Sequence, residues 1–356
     1  MRMKRHTRTR SAAIAAAGAS CLLLAACGGG GTGGDDASAG ATDGGADAGP
    51  TDLTFASLDQ GSAWYNYAVS IGQMVEPELG EGSVVEVLTY AGSIGNPELV
   101  STGEADLATS FSAVTAWAVN GEEGTPFEGE PMDNLRVLVG GLDQYYFGPI
   151  TPASSGIDSI RDAVDEEMAL DLVSQPRASL GDAGTQLVLR AYGASVDDVT
   201  GWGGSFEPTS TDVATNAIRD GNADLWIQAI TEGHPNITEL AETSDIKILP
   251  IDDEAIEALQ PLGLEAATLP GGTFRGQDED VQLIGFTTTL IASDEMSEEV
   301  AYQITKTVVE GAEQLVSANA SMSAFDPATA WTEESTGGVQ LHPGAERYYR
   351  EAGLMD

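Results

Sequence analysis

Leu99-Val100-Ser101-Thr102-Gly103-Glu104-Ala105-Asp106-Leu107 returns farther along the chain as Ala217-Ile218-Arg219-Asp220-Gly221-Asn222-Ala223-Asp224-Leu225. Each stretch closes a helical pattern at glycine, turns through x-Ala-Asp and enters an apolar strand. An echo of this kind predicts two lobes built alike, with the same helix-to-strand corner in each. A cleft between two such lobes is the natural ligand site, because ligands of open α/β sheets sit beyond the carboxyl ends of the strands.

Outward from these corners, strand and helix patterns alternate. Leu53–Ser57 reads as a short buried strand, and Trp64, Ala68, Ile71 and Val75 then recur at helical spacing. Val84–Leu88 is strand-like, Pro97–Thr102 a helix stopped by Gly103, and Leu107–Phe111 and Leu135–Leu142 are strand-like again. Leu170–Val173 is a further strand, and Gly184–Tyr192 a helix closed by Gly193. This alternation predicts α/β layers with largely parallel sheets. We expect one lobe at 53–148 with 285–356 and the other at 149–284, with hinge strands near 141–151 and 282–292.

The first residues are of another kind. Five basic residues and no acid precede an apolar run from Ala12 to Ala26, a pattern of secretory signals and too short to span a bilayer. The run ends in Leu24-Ala25-Ala26-Cys27, which resembles a bacterial lipobox and makes Cys27 the expected lipidated first residue of the mature chain. Residues 1–27 are therefore expected to be a lipoprotein signal. Cys21 falls inside it, which leaves no disulfide to the mature protein. Residues 28–52 are almost wholly Gly, Ala, Asp, Thr and Ser, which cannot bury apolar area and predict a disordered tether with a reach of about 27 Å.

The whole chain carries 15 Lys and Arg against 56 Asp and Glu, a net charge of -41. With five basic residues in the signal, the mature part is near -46 (10 minus 56). Such a surface repels phosphate backbones and anionic headgroups, which excludes nucleic acid and leaves the lipid as the expected membrane contact. Catalytic patterns are missing as well. His234 and His342 each lie beside a proline, and there is no His-Glu-x-x-His helix, Gly-x-Ser-x-Gly elbow or phosphate loop ending in Lys-Ser or Lys-Thr. Gln277-Asp278-Glu279-Asp280 lacks the alternating spacing of a calcium loop. No enzyme activity, cofactor or metal is expected.

Three polar Gly/Ser loops stand where strands give way to helices. They are Ser57-Leu58-Asp59-Gln60-Gly61-Ser62-Ala63-Trp64-Tyr65, Thr89-Tyr90-Ala91-Gly92-Ser93-Ile94-Gly95-Asn96, and Ser174-Gln175-Pro176-Arg177-Ala178-Ser179-Leu180-Gly181-Asp182. Helix N-termini offer unpaired N–H groups and partial positive charge, small residues let a ligand approach, and serines add donors. The candidate binding residues are accordingly Ser57, Gln60, Gly61, Ser62, Trp64, Tyr65, Gly92, Ser93, Asn96, Arg177 and Ser179, with Ser112 directly after the Leu107–Phe111 strand. Arg177 is conspicuous as a positive charge in a lobe-two loop that matches the Gln60–Ser62 loop of lobe one.

From about Leu53 to Leu354 the chain resembles the TAXI family of TRAP-transporter solute-binding proteins. Gln60-Gly61-Ser62-Ala63-Trp64-Tyr65 and Ser93 to Asn96 are similar to its first two Gly/Ser loops. Leu269-Pro270-Gly271-Gly272-Thr273-Phe274-Arg275-Gly276-Gln277 through Val281 resembles its Ile-Pro…Gly-Gln segment, and Leu341-His342-Pro343-Gly344-Ala345 its C-terminal His-Pro-Gly-Ala signature, a helix start more than a ligand contact. The resemblance implies a two-lobed type II periplasmic-binding-protein fold, a small carboxylate solute such as glutamate or an oxo-acid, and delivery to TRAP membrane subunits at the outer face of the cell membrane. Ala56-Ser57-Leu58 and Ala178-Ser179-Leu180-Gly181-Asp182 depart from the family's Gly-Thr-Gly and Gly-Ser-Gly-Thr-Glu patterns, so the solute is free to differ. The same fold also suits the substrate-binding lipoprotein of an ABC importer, or a sensor for a membrane kinase.

Overall fold

A computed structural model of the protein describes residues 50–58, 60, 62–90, 92–177 and 179–356. Cys27, the signal and all but the end of the tether lie outside them, as do Gly61 and Asp59. The chain opens with β1 (Asp52–Ser57), α1 (Ala63–Val75), β2 (Val84–Thr89), α2 (Gly95–Ser101), β3 (Leu107–Phe111) and α3 (Ser112–Asn120). Next come β4 (Leu135–Val139), β5 (Gln144–Pro152), α4 (Ile160–Asp165), β6 (Asp171–Ser174) and α5 (Leu180–Ala191). They are followed by α6 (Val196–Gly201), β7 (Ser205–Pro208), α7 (Thr211–Asp220), β8 (Leu225–Ile230), α8 (Pro235–Thr243), β9 (Ile246–Ile248) and α9 (Asp253–Leu259). The chain closes with β10 (Glu265–Leu269), β11 (Val281–Ser293), α10 (Glu298–Glu310), α11 (Ala312–Ala318), α12 (Glu333–Thr336) and α13 (Pro343–Glu351).

The strands run in the order β2-β1-β3-β11-β5-β8-β6-β7, with β4 and β10 also on β11 and β9 on β5. Pairing is parallel for β1 with β2 and β3, and for β6 with β7 and β8. Every pairing of β11 and β5 is antiparallel, so the sheet is mixed where the alternation predicts a largely parallel one. The reason lies in β11. Its residues 281–287 pair with β10 and β5, and its residues 288–293 with β3 and β4, so one strand serves both lobes. A strand shared by two βαβ units does not arrive through a helical crossover of either, and the parallel rule for such crossovers does not govern it. The run Thr287-Thr288-Thr289 at its middle is β-branched and keeps the backbone extended across the junction.

The repeated corners are alike in hydrogen bonding. Gly103 and Gly221 take φ of 74° and 69°, a region open to glycine, and let the helix end abruptly. The Ala105 N–H then donates to the Leu99 carbonyl at 2.9 Å, and the Ala223 N–H to the Ala217 carbonyl at 3.2 Å. Behind each corner the strands are apolar because both faces are covered. Phe55 and Ala56 of β1 are wholly buried, as is all of β3.

Several helices begin on a serine whose oxygen accepts an N–H of the first turn, among them Ser62 for α1, Ser179 for α5 and Ser297 for α10. Two helix starts differ from the sequence reading. α2 starts at Gly95, taking Asn96 and Pro97 into its first turn, and α5 starts at Leu180, with Ser179 as its cap. The Leu135–Leu142 segment is extended only to Val139. Gly140 there passes so close to Ser335 that a Cβ would sit 2.3 Å from its carbonyl oxygen. The His-Pro-Gly-Ala stretch is structural. His342 Nδ1 accepts the Gly344 N–H at 3.1 Å, Pro343 opens α13, and Gly344 lies where a Cβ would meet the Glu298 carbonyl of α10 at 2.1 Å.

Candidate functional site

A cleft of about 580 Å³ opens between the lobes. From the first lobe it is lined by Leu58, Ser62, Ala63 and Trp64 around the start of α1, and by Gly92, Ser93 and Ile94 ahead of α2. The second lobe contributes Gln175, Arg177, Ser179, Leu180 and Gly181 around the start of α5, with Gln228 and Ala229 of β8. Phe111 and Tyr145 come from β3 and β5, the strands that flank β11.

The rings of the cleft pack on one another. Trp64 and Phe111 lie 4.6 Å apart between centroids, Phe111 and Tyr145 4.8 Å, and Phe111 and Phe286 4.9 Å, all inclined as their quadrupoles favour. Trp64 is fixed from behind, its Nε1–H donating to Thr288 Oγ1 at 3.0 Å. The Thr288 N–H in turn donates to Asp143 Oδ1 at 3.0 Å. Asp143 is buried, and burial pushes its pKa up to about 6, opposed by its Thr288 donors and the Tyr67 hydroxyl. Burial likewise pushes Tyr145 well above the usual phenol range, with the nearby Asp143 carboxylate adding to it.

Charge is distributed with a bias. No Asp or Glu lines the cleft among the described residues, although the chain holds 56. Arg136, Arg161, Arg219, Lys247, Arg275, Arg347 and Arg350 are ion-paired; Arg177, Arg190 and Lys306 have no such partner among the described residues. Of those three, only Arg177 lines the cleft, with its guanidinium over the Phe206 ring at 5.4 Å. Arg177 is exposed, so it can turn into the cleft at the cost of its contact with the Phe206 ring and of no ion pair.

Of the residues singled out from sequence, the structure brings Ser62, Trp64, Gly92, Ser93, Arg177 and Ser179 together on the cleft. Ser62 and Ser179 cap their helices through Oγ, accepting N–H groups at 3.1 and 3.3 Å, which leaves each hydroxyl hydrogen to donate. Gly92, at φ 84°, lies where a Cβ would meet Leu58 Cδ1 at 2.7 Å. Ser57, Gln60, Tyr65, Asn96 and Ser112 are not on the lining. Ser57 ends β1 wholly buried, Gln60 is exposed, and Tyr65 is half-buried in the first turn of α1. Asn96 spends its amide on the Thr109 carbonyl at 2.8 Å, and Ser112 Oγ accepts the Thr287 N–H at 3.2 Å. Both tie first-lobe elements together instead of facing the cleft.

Sequence reasoning missed Gln175, Gln228, Gly181, Phe111 and Tyr145 as lining residues. Gly181 carried a readable signal, since it stands next to the helix start in a Ser-Leu-Gly loop. A Cβ there would meet Gln175 Cγ at 2.5 Å and Gln228 Oε1 at 3.2 Å. Its bareness is what lets both glutamines reach the cleft.

A family model described as the NMT1-like family matches residues 55–353. MatC from Rhodopseudomonas palustris with bound malate is similar in structure, with a TM-score of 0.51 and 14% identity over 86% of this chain and 99% of that one. PhnD1 from Prochlorococcus marinus in complex with methylphosphonate has a TM-score of 0.50 and 10% identity, over 86% of this chain and 100% of that one. The aliphatic sulphonate binding protein SsuA from Escherichia coli has a TM-score of 0.43 and 13% identity, over 86% and 89%. The architecture is the two-lobed α/β type II periplasmic-binding-protein fold.

Proposed function

This chain belongs to the NMT1-like family, and from that membership and its cleft we propose that it is the extracytoplasmic solute-binding subunit of a TRAP transporter of the TAXI type, capturing a small carboxylate. The observation that carries the ligand class is charge placement. A chain with a net charge of -41 keeps carboxylates off the described lining of its cleft and sets there an arginine with no ion pair among the described residues. The similar folds hold malate and methylphosphonate, and an anion suits this cleft as well.

The protein performs no chemistry in this reading. Solute held by Arg177, Ser179 and the α5 start on one lobe meets Ser62, Trp64 and Ser93 on the other, and the lobes close over it. The lobes are taken as 53–148 with 285–356, and 149–284, with β5 and β11 bending between them. The closed form then docks on the membrane subunits, while Cys27 carries the lipid that keeps the body at the outer face of the membrane.

A thermal-shift screen of the purified protein against small carboxylates tests the solute reading, because a ligand at 100 times Kd stabilises by about 2.7 kcal/mol. No shift with any carboxylate sinks it. Small-angle scattering at saturation should show compaction; an unchanged radius argues against closure. Fatty-acid labelling should mark the wild type and not Cys27→Ser. TRAP membrane subunits encoded beside the chain favour this route, and a neighbouring ATPase the ABC importer.

A further inference from the structure

We propose that the solute is a monoanion with an apolar body, and neither a dicarboxylate nor an amino acid; this rests on the solute-binding reading above and narrows it. The first argument is a balance of charges across the described lining. It holds a single cation, Arg177, and no carboxylate. Among the described lining residues, a second carboxylate on the solute would leave water without a cationic partner, and an ammonium would find no acid to pair with. Either mismatch weakens binding, because an unpaired charge in a closed site keeps its full desolvation cost.

The second argument is the wall. Leu58, Trp64, Ile94, Phe111, Tyr145 and Leu180 present a broad apolar surface. The polar end of Trp64 is already engaged by Thr288, so what it shows the cleft is hydrocarbon and π-face. Such a surface is matched by an aromatic or branched aliphatic group and not by a short polar chain.

The third is an amide poised for one carboxylate. Gln228 is 7% exposed, and its Oε1 accepts the Ala229 N–H at 3.2 Å. Its Nε2 has no hydrogen-bond partner among the described residues. Gln175 Nε2 gives one hydrogen to Thr211 Oγ1 at 2.9 Å. An amide N–H that opens onto the cleft without a protein partner can give its hydrogen to an acceptor on the solute. With Arg177 and the two capping serines it forms a donor set for a single carboxylate, supplied without a second positive charge.

Calorimetry on the full-length lipoprotein in detergent decides this with four probes: phenylacetate, the neutral phenylacetamide, malate and glutamate. Phenylacetate should bind saturably, and the other three about tenfold or more weaker. Malate or glutamate binding as tightly as phenylacetate overturns the inference while leaving a carboxylate-binding protein. Phenylacetamide binding equally overturns the anion requirement itself. Gln228→Lys, which adds a second cation to the lining, should move the malate-to-phenylacetate affinity ratio about tenfold toward malate in protein that melts cooperatively. An unchanged ratio in folded Gln228→Lys overturns the charge-balance argument.

Discussion

The Asp106 carboxylate accepts the Thr54 N–H at 2.7 Å, while the Asp106 N–H donates to the Thr54 carbonyl at 2.9 Å. Asp224 holds Asp171 in the same reciprocal way, at 2.8 and 2.7 Å. In each lobe the strand leaving the glycine corner is thus stitched to its parallel neighbour, β3 to β1 and β8 to β6, just before their ladders begin. The aspartate of the sequence echo is a register pin, which explains why it recurs with the glycine.

Asp106→Ala and Asp224→Ala should each cost about 1 kcal/mol, the net worth of a hydrogen bond at an exposed corner. Lying in different lobes, they should add in the double variant. Urea denaturation measures all three proteins. If one substitution is silent while the other costs stability, the two corners are not energetic equivalents.

Arg177→Ala should weaken carboxylate binding about tenfold with little change in melting temperature, because the side chain is exposed, makes no ion pair among the described residues and loses only its contact with Phe206. Arg177→Lys keeps the charge but loses the planar fork, and should recover only part of the affinity. Equal affinities for wild type and Arg177→Ala, measured by calorimetry, would move recognition to the serines and the amide.

Asp143 gives a pH dependence whose sign is set by its raised pKa. Between about 4 and 6 the folded chain binds its proton and the unfolded chain does not, so this group's contribution to stability falls as pH rises through that window. Asp143→Asn keeps an oxygen for the Thr288 N–H and removes the charge. The variant should gain up to about 3 kcal/mol over wild type at pH 7.5, and little at pH 4. Denaturation at both pH values checks it, and an equal difference at the two would refute the assignment.

His342 works in the opposite direction. Burial holds its pKa below the usual imidazole value, Nδ1 accepts from Gly344, and Nε2–H donates to the Met296 carbonyl at 3.0 Å. Below about pH 6.5 the unfolded chain takes up a proton that the folded one resists, so stability is lost as pH drops. His342→Ala should cost about 1–2 kcal/mol at pH 8, and less near pH 5, where the wild type has lost part of the benefit. A cost independent of pH would mean the ring serves only as packing.

Features that depend on neighbours within a turn or two of chain are legible in the sequence. Gly103 and Gly221 end helices. Trp64, Ala68, Ile71 and Val75 form one buried stripe. Leu107–Phe111 is a strand at both ends as read. Each of these follows from a period or from a residue suited to a helix end. The His-Pro-Gly-Ala signature was legible as a helix start for the same reason.

Which polar residues face the cleft is set by contacts between segments far apart in the chain. Asn96 and Ser112 looked like ligand donors in their loops, but β3 and β11 approach and take up their hydrogen bonds. Phe111 and Tyr145 reach the cleft because β11, far away in sequence, pairs with both of their strands. Gln228 reaches it because Gly181 has no Cβ. Nor can a chain with 56 acids reveal from sequence where it withholds them; a cleft with no carboxylate among its described lining residues emerges once loops from both lobes converge. Local hydrogen bonding and periodicity act over a few residues, whereas a binding site is made by strand pairing across hundreds, and that pairing is chosen by the burial of the whole core.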